Sequence, residues 1–427
     1  MYDAGGRFTL RLDAVLERLV NPQWGVICRL HADRNSVTGL HVVHTSLASP
    51  GYFRANGASQ APTAGSGTGA AFDAESAYWS AIGEAVERYC ASIYRLEDLV
   101  CAAGEDLPTT MGLDPLIQVA VPSVRPYDQK AARYWARGRK LSDGSACFVP
   151  AQLTYLGYQP QWPEEILGQN DSTGLACGVD FETACSAAFF ELVERDAFAS
   201  AWLLTHRPSR IQLAAKDYGR LGSRVAGVLR RACPELRLFH LASSFGVHTV
   251  MSCLLTSEGT GLVAAAASPS LARAMEKSVV EVLQGANAAT RLSPKPRPKC
   301  ADDIRSTSDH ALYYLDAERF AVVADWLRGT STITIDEIQP AAESPANFGD
   351  IVQAGVASGL DPVAVDLTTA DMAALGLSVV RVLVPGLQPL VFGSACVKVP
   401  DRRRLDFWRG VWGTADALLN PYPHPFP

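Results

Sequence analysis

Two five-residue runs, Glu84-Ala85-Val86-Glu87-Arg88 and Glu191-Leu192-Val193-Glu194-Arg195, carry the same charges at the same spacing, 107 residues apart. On a helix the two glutamates of each run lie about 60° apart, and the arginine lies within about 100° of both. Carboxylates so placed repel each other, and where they are partly buried a counter-cation relieves the repulsion. Magnesium suits that role because it takes hard oxygen ligands, commonly one or two carboxylates together with phosphate oxygens. The arginines can then face phosphate, whose oxygens match the planar guanidinium fork. One Glu-x-x-Glu-Arg alone reads as a solvated helix face with an i,i+4 ion pair worth about 0.3–0.5 kcal/mol. Two matched copies, with Glu281 and Gln284 repeating the three-residue spacing on a third apolar segment, read instead as a site. Five carboxylates could hold metal ions around one triphosphate.

The match extends upstream. Gly67, Asp73, Glu75, Ala77 and Ala81 fall on Gly174, Asp180, Glu182, Ala184 and Ala188, so each acidic run follows a glycine-containing turn, as in a duplicated architecture. The periodicity predicts helices over residues 73–94 and 181–204, the second capped by Asp180, and a third over about 269–290. Backbone N–H groups in the turns at 66–69 and 172–174 could cradle phosphate or ribose oxygens. Neither turn is a GxxxxGK[ST] loop, and no GxGxxG precedes a helix, so nucleotide binding needs another architecture. Around these elements, residues 12–20 read as a short amphipathic helix and 24–30 with 38–45 as paired strands about a polar turn at 31–36. Residues 95–165 read as short strands and loops, and 236–242, 247–256, 261–267, 363–367 and 378–384 as strands. The proline-rich stretch 292–300 reads as a solvated connection or a peptide-contacting lid. The pattern is mixed α/β.

Composition narrows the function. With 48% hydrophobic and 19% charged residues, the 427-residue chain can bury a sizeable core, and its net charge of −6 offers nucleic acid no general attraction. Ten cysteines without a CxxC pair and eight histidines without HxxxH spacing read as reduced intracellular thiols, not a disulfide framework or zinc site. The first residues lack the apolar run of a signal peptide, and no stretch of about 18 apolar residues appears, so the expected compartment is the cytoplasm.

The run from Gly67-Thr68-Gly69 to Glu84-Ala85-Val86-Glu87-Arg88-Tyr89 resembles the first motif of the YcaO family. Ser172-Thr173-Gly174-Leu175-Ala176-Cys177-Gly178 with Glu191-Leu192-Val193-Glu194-Arg195-Asp196 is similar to the second, and Val280-Glu281-Val282-Leu283-Gln284 to the third. The stretch Arg381-Val382-Leu383-Val384-Pro385-Gly386-Leu387 and the final Pro-His-Pro-Phe-Pro also resemble the family, so that the likeness runs from about residue 20 to the end. It implies a single ATP-binding α/β domain with pseudo-symmetric sheet–helix halves. Residues 1–60 would form a helix and strand pair within the same fold, 61–400 the core, and 401–427 a C-terminal helix and proline-rich tail. It implies Mg2+ ligands at Glu84, Glu87, Glu191, Glu194 and Glu281, and places Ser66, Thr68, Arg88, Ser172, Thr173, Arg195, Lys277 and Gln284 near ATP. Thr68 stands where the family usually has Lys, Thr173 where Asn is common, and Lys277 where Arg is usual. The last keeps the charge without the bidentate fork.

Relatives ending in Pro-x-Pro-x-Pro form azolines. A Cys, Ser or Thr side chain of a precursor peptide attacks the preceding amide carbonyl, the oxygen is phosphorylated from ATP, and phosphate leaves behind a thiazoline or oxazoline. Prolines 421, 423, 425 and 427 predict a stiff tail that could present the Pro427 carboxylate as a general base. A disordered proline-rich tail or an adaptor ligand is the alternative, and His424 reads either as the base or as a surface histidine. The resemblance further implies an E1-like, leader-peptide-binding partner protein, and leaves room for a flavin dehydrogenase in the same pathway and a homodimer. Thioamide or macroamidine chemistry, or a non-catalytic ATP-binding scaffold, are the competing functions.

Overall fold

In the computed structural model, which describes residues 11–48, 65–113, 127–168, 170–232, 235–242, 244–292, 296–304, 306–338, 347–391, 402–414 and 419–426, the mixed α/β pattern is realised in two compact units. One is drawn from the chain up to Leu113, the stretch ending at Phe189, and Pro362–Leu383. The other is drawn from Phe190–Asp361 and from Val384 onward.

In the first unit Ile27–Arg34, His41–Leu47 and Ser66–Ala71 form an antiparallel sheet with His31 opposite His44 and Thr45 opposite Gly67. The first strand runs on to Arg34, so the turn is later than expected and is made by Gly39, whose φ of 77° needs glycine. Val43 packs on Ala77 and Ala81 of the helix Ala74–Ala91. A second, antiparallel sheet has the order Val100–Ala103, Ala132–Lys140, Val363–Asp366, Ser378–Leu383, Leu175–Gly178, with Ala146–Pro150 also paired to Ala132–Lys140.

The second unit holds a five-stranded sheet in the order Gly261–Ser268, His248–Leu255, Leu236–Leu241, Ser209–Gln212, Thr332–Thr334. Its core gathers Phe198, Trp202, Phe239, Met251, Phe320 and Trp326. The helix Leu271–Leu292 is tied to this sheet by a buried hydroxyl pair, Ser252 and Ser278 at 2.8 Å. Helices at Thr307–Tyr314, Ala317–Trp326 and Phe348–Ala357 went unread in the sequence. They are short, and caps define them: Ser306, Asp316 and Asn347 accept the backbone N–H groups of Asp309, Arg319 and Asp350.

The three acidic segments are helices, each following directly on a strand. Ser66–Ala71 leads into Ala74–Ala91, Leu175–Gly178 into Phe181–Leu203, and Gly261–Ser268 into Leu271–Leu292. The duplication reaches the caps. Asp73 accepts from the Ser76 N–H at 2.8 Å and Asp180 from the Thr183 N–H at 2.7 Å. No described helix is long and apolar enough to cross a membrane.

Candidate active site

In the first unit the site begins with two glycines. A Cβ at Gly67 would lie 2.6 Å from the Ala81 carbonyl, and one at Gly69 only 2.2 Å from the Ala77 carbonyl. Lacking side chains, they let the strand Ser66–Ala71 lie directly on the helix. That closeness brings the Thr68 N–H to Glu84 Oε2 at 2.7 Å, while Arg88 holds Glu84 Oε1 at 3.0 Å. Glu87 accepts the Cys177 N–H, from the strand Leu175–Gly178, at 3.0 Å. Each carboxylate is thus oriented by one backbone N–H from a different strand. The segment at 66–69 is therefore not the free turn expected. It is a strand, and the Thr68 N–H faces a carboxylate instead of open space. Ser66 is exposed and Thr68 half-buried, on the strand face opposite the two glycines.

The second turn does form. Gly174 adopts φ 79°, Thr173 donates its N–H to Asp171 Oδ1 at 2.8 Å, and the Leu175 N–H closes on the Ser172 carbonyl at 3.0 Å. Arg381, buried in the strand Ser378–Leu383, donates to the Asp171 carbonyl at 2.7 Å, and the Val382 N–H donates to the Gly174 carbonyl at 2.7 Å. The turn carrying Ser172 and Thr173 therefore hangs on the segment whose sequence resembled the family.

In the second unit Glu191, Glu194 and Arg195 project from Phe181–Leu203, and Lys277, Glu281 and Gln284 from Leu271–Leu292. Glu191 is paired with Arg195 at 2.7 Å. Burial, then Glu281 and Glu191, push the Glu194 carboxyl well above its ordinary range, against the pull of Arg195 and Lys277. Burial likewise raises Glu281 to about 7, with Lys277 and Arg195 opposing and Glu191 adding. Glu281 is nonetheless an exposed residue, whereas Glu194 is only 9% exposed, so Glu194 is the carboxyl on which burial acts most firmly. Three acids thus feel one another in a setting that disfavours negative charge. Such a donor set, all hard oxygens, fits a divalent cation. Among the described residues no three His, Cys, Asp or Glu form a ready-made metal shell. Magnesium does not require one, since it keeps waters and takes phosphate oxygens beside one or two carboxylates.

The residue after the second run was overlooked. Asp196 is fully buried, accepting the Gln388 N–H at 2.8 Å and two hydrogen bonds from Arg404, one of them at 2.8 Å. Arg404 also donates to Ser244 and lies under Phe407 and Trp408. Its only sequence signal was a charge directly beside the acidic motif on an otherwise apolar helix.

Pro427 lies outside the described residues, but the approach to it is held tightly. Trp202 Nε1 donates to the Tyr422 carbonyl at 3.1 Å, the Asn420 N–H to Leu203 at 2.8 Å, and Tyr314 to the Pro423 carbonyl. Phe426 meets Phe198 edge to face, and the Arg195 guanidinium carbon sits 6.0 Å from its ring centre. His424 is not a surface residue. It is 5% exposed, stacks on His310, and turns its two nitrogens toward the Phe426 and Val391 carbonyls at 3.1 and 3.0 Å. Both ring nitrogens are thus turned toward carbonyls within the protein, and the neutral ring can donate to one of them.

A model of the family described as YcaO cyclodehydratase, ATP- and Mg2+-binding, matches residues 67–388. The chain belongs to the YcaO family. Among solved structures it is similar to YcaO from Methanopyrus kandleri bound with AMPPCP and Mg2+, at 20% identity over 87% of this chain and 88% of that one, TM-score 0.63. A heterocyclase in complex with substrate and cofactor is similar at 21% identity, over all of this chain and 58% of its own, TM-score 0.69. The Escherichia coli microcin synthetase McbBCD complex with pro-MccB17 bound includes a chain similar at 15% identity, over 87% of this chain and 91% of that one, TM-score 0.64. The mixed α/β fold is therefore the YcaO fold, and ATP and Mg2+ are the ligands of the family it serves.

Proposed function

We propose that this YcaO protein is an ATP-dependent cyclodehydratase that closes azoline rings in a ribosomally made precursor peptide. The observation that supports it most is the Glu191, Glu194 and Glu281 group, three carboxylates under mutual repulsion beside Arg195, Lys277 and a tail pinned at Phe426. In this reading Glu84 and Glu87 are metal ligands that the first unit would supply, and Glu191, Glu194 and Glu281 are those that the second would supply. When bound, the cation offsets the charge that develops on the transferred phosphoryl group.

The chain's own residues do the rest. Arg88 in the first unit and Arg195 and Lys277 in the second are the cations suited to phosphate oxygens, and Ser66, Thr68, Ser172 and Thr173 of the first and Gln284 of the second are the polar groups suited to nucleotide. The Pro427 carboxylate takes the proton from the attacking Cys, Ser or Thr side chain of the substrate. An amide oxygen is a poor leaving group, and as phosphate it departs readily, leaving the ring. The heterocyclase in complex with substrate and the microcin synthetase complex with pro-MccB17 bound support a peptide substrate and partner subunits for this chain.

The test combines this chain with its precursor peptide, an E1-like partner, ATP and Mg2+. Phosphate release should accompany the loss of one water per ring in the peptide's mass. Appending two residues after Pro427 should abolish ring formation and leave AMPPCP binding unchanged. A fully active extended variant excludes the terminal carboxylate as base. Nucleotide binding with no change in the peptide would favour a non-catalytic scaffold.

A further inference from the structure

The five-stranded sheet of the second unit comes apart between two neighbours. Ser209–Gln212 pairs with Leu236–Leu241 only at Ser209↔His240 and Arg210↔Phe239. On its other side the same strand keeps register with Thr332–Thr334 as far as Gln212↔Thr334. Continuing the antiparallel ladder would set Ile211 opposite Leu238 and Gln212 opposite Arg237, and neither pair forms. A cavity of about 300 Å³ lies there, with Ile211 and Gln212 on one wall and Arg237 and Leu238 on the other.

Hydrogen bonds elsewhere in the sheet show which backbone groups face this gap. The Arg210 N–H donates to the Ser331 carbonyl, and the Leu255 N–H donates to the Glu235 carbonyl. By strand alternation, Ile211 on one side and Leu236 and Leu238 on the other turn their N–H and C=O groups into the opening. Strand edges of this kind are templates for another extended chain.

The charge around the opening selects the kind of chain. Arg210 and Arg237 line it, and the adjoining helix Ser223–Ala232 carries Arg224, Arg230 and Arg231 with no acid. Arg230 lies 4.6 Å over the ring of Tyr218, another lining residue. Of the nearby acids, Asp336 is held by Lys216 and Arg220, Asp217 is buried on the Ala214 N–H, Glu337 accepts the Thr334 N–H, and Glu235 lies exposed beside Leu236, leaving the cations in the majority. A basic locus on a chain of net charge −6 is a local feature, and it favours an acidic occupant. We propose that the opening binds an extended acidic peptide segment, which pairs with the two freed strand edges and sets a carboxylate against Arg210 within the basic surroundings. The site is independent of the nucleotide chemistry and stands whether or not that chemistry is as proposed.

The test uses the full chain and a fluorescein-labelled hexapeptide of alternating Glu and Val, read by fluorescence anisotropy. Binding should be saturable, should weaken as salt rises, and should fall about tenfold or more in an Arg210→Gln, Arg237→Gln variant whose melting temperature matches the parent. A hexapeptide of alternating Lys and Val should not bind, and N-methylation of alternate amides along one edge should abolish binding of the acidic one. If the double variant melts early, Arg210→Gln alone gives the same comparison. Equal binding of the basic peptide, tolerance of N-methylation, or undiminished binding by the folded variant overturns the proposal.

Discussion

Asp196 and Glu194 stand two positions apart on one helix and answer to opposite demands. Asp196 is matched atom for atom by Arg404 and the Gln388 N–H, so its buried charge is neutralised within the protein. Asp196→Ala would deprive the buried Arg404 of its carboxylate and should cost about 3–5 kcal/mol in urea unfolding, and Asp196→Ala with Arg404→Met should cost less than the single change. Glu194 has no such match, since its strongest carboxylate neighbours are Glu281 and Glu191 and their charges add to its own. Glu194→Gln fixes that site in the neutral form which burial and the neighbouring acids already favour, so the protein without added metal should melt no lower than the parent, and higher as pH rises and ionisation is forced on the glutamate. The extra melting stability conferred by AMPPCP with Mg2+ should shrink in the same variant. A variant that melts lower, or still gains the full increment, contradicts that account.

At the scale of elements, the strand Ser66–Ala71 is the piece whose placement matters most in the first unit. Its approach to the helix depends on two absent side chains. Gly69→Ala would push a methyl group into the Ala77 carbonyl and the Ala81 nitrogen, each 2.2 Å away, and both are backbone atoms that cannot turn aside. The strand must lift, with a stability loss of about 1–3 kcal/mol and loss of the Thr68 contact to Glu84. Nucleotide affinity should fall in parallel. A variant with parental affinity would show that the contact does not set the carboxylate's position. The helices were legible in the sequence because their apolar residues follow a helical period and Asp180 reads as a cap, while Asp73, read as the first helical residue, is the cap of the other. The strand was read as a turn because glycines mark both turns and close backbone approaches, and only the facing helix tells the two apart.

Taken whole, the molecule holds titratable groups whose effect is on folding. In the second unit, burial and then the neighbouring His248 lower His240 to about 4, from the usual value of 6.5, and the two rings lie 6.2 Å apart on paired strands. The unfolded chain binds a proton there before the folded one does. The contribution is therefore fully present above about pH 6.5 and is lost as pH falls toward 4, with a ceiling of about 3 kcal/mol. Denaturant titrations across that window should show the loss, and His240→Gln should flatten it. An unchanged slope in the variant would place the effect on other groups.

The sequence by itself determined the class of chemistry. Repeated Glu-x-x-Glu-Arg spacing, matched caps and an acidic third helix are local patterns, set by helical period and hydrogen-bonding side chains within a few residues. Only the tertiary structure decided what each charge faces. Glu84 meets a backbone N–H from a glycine strand, Asp196 meets an arginine 208 positions away, and His424 is drawn inside onto His310. Burial and partnership between residues distant in the chain are set by packing, and no periodicity along the chain records them.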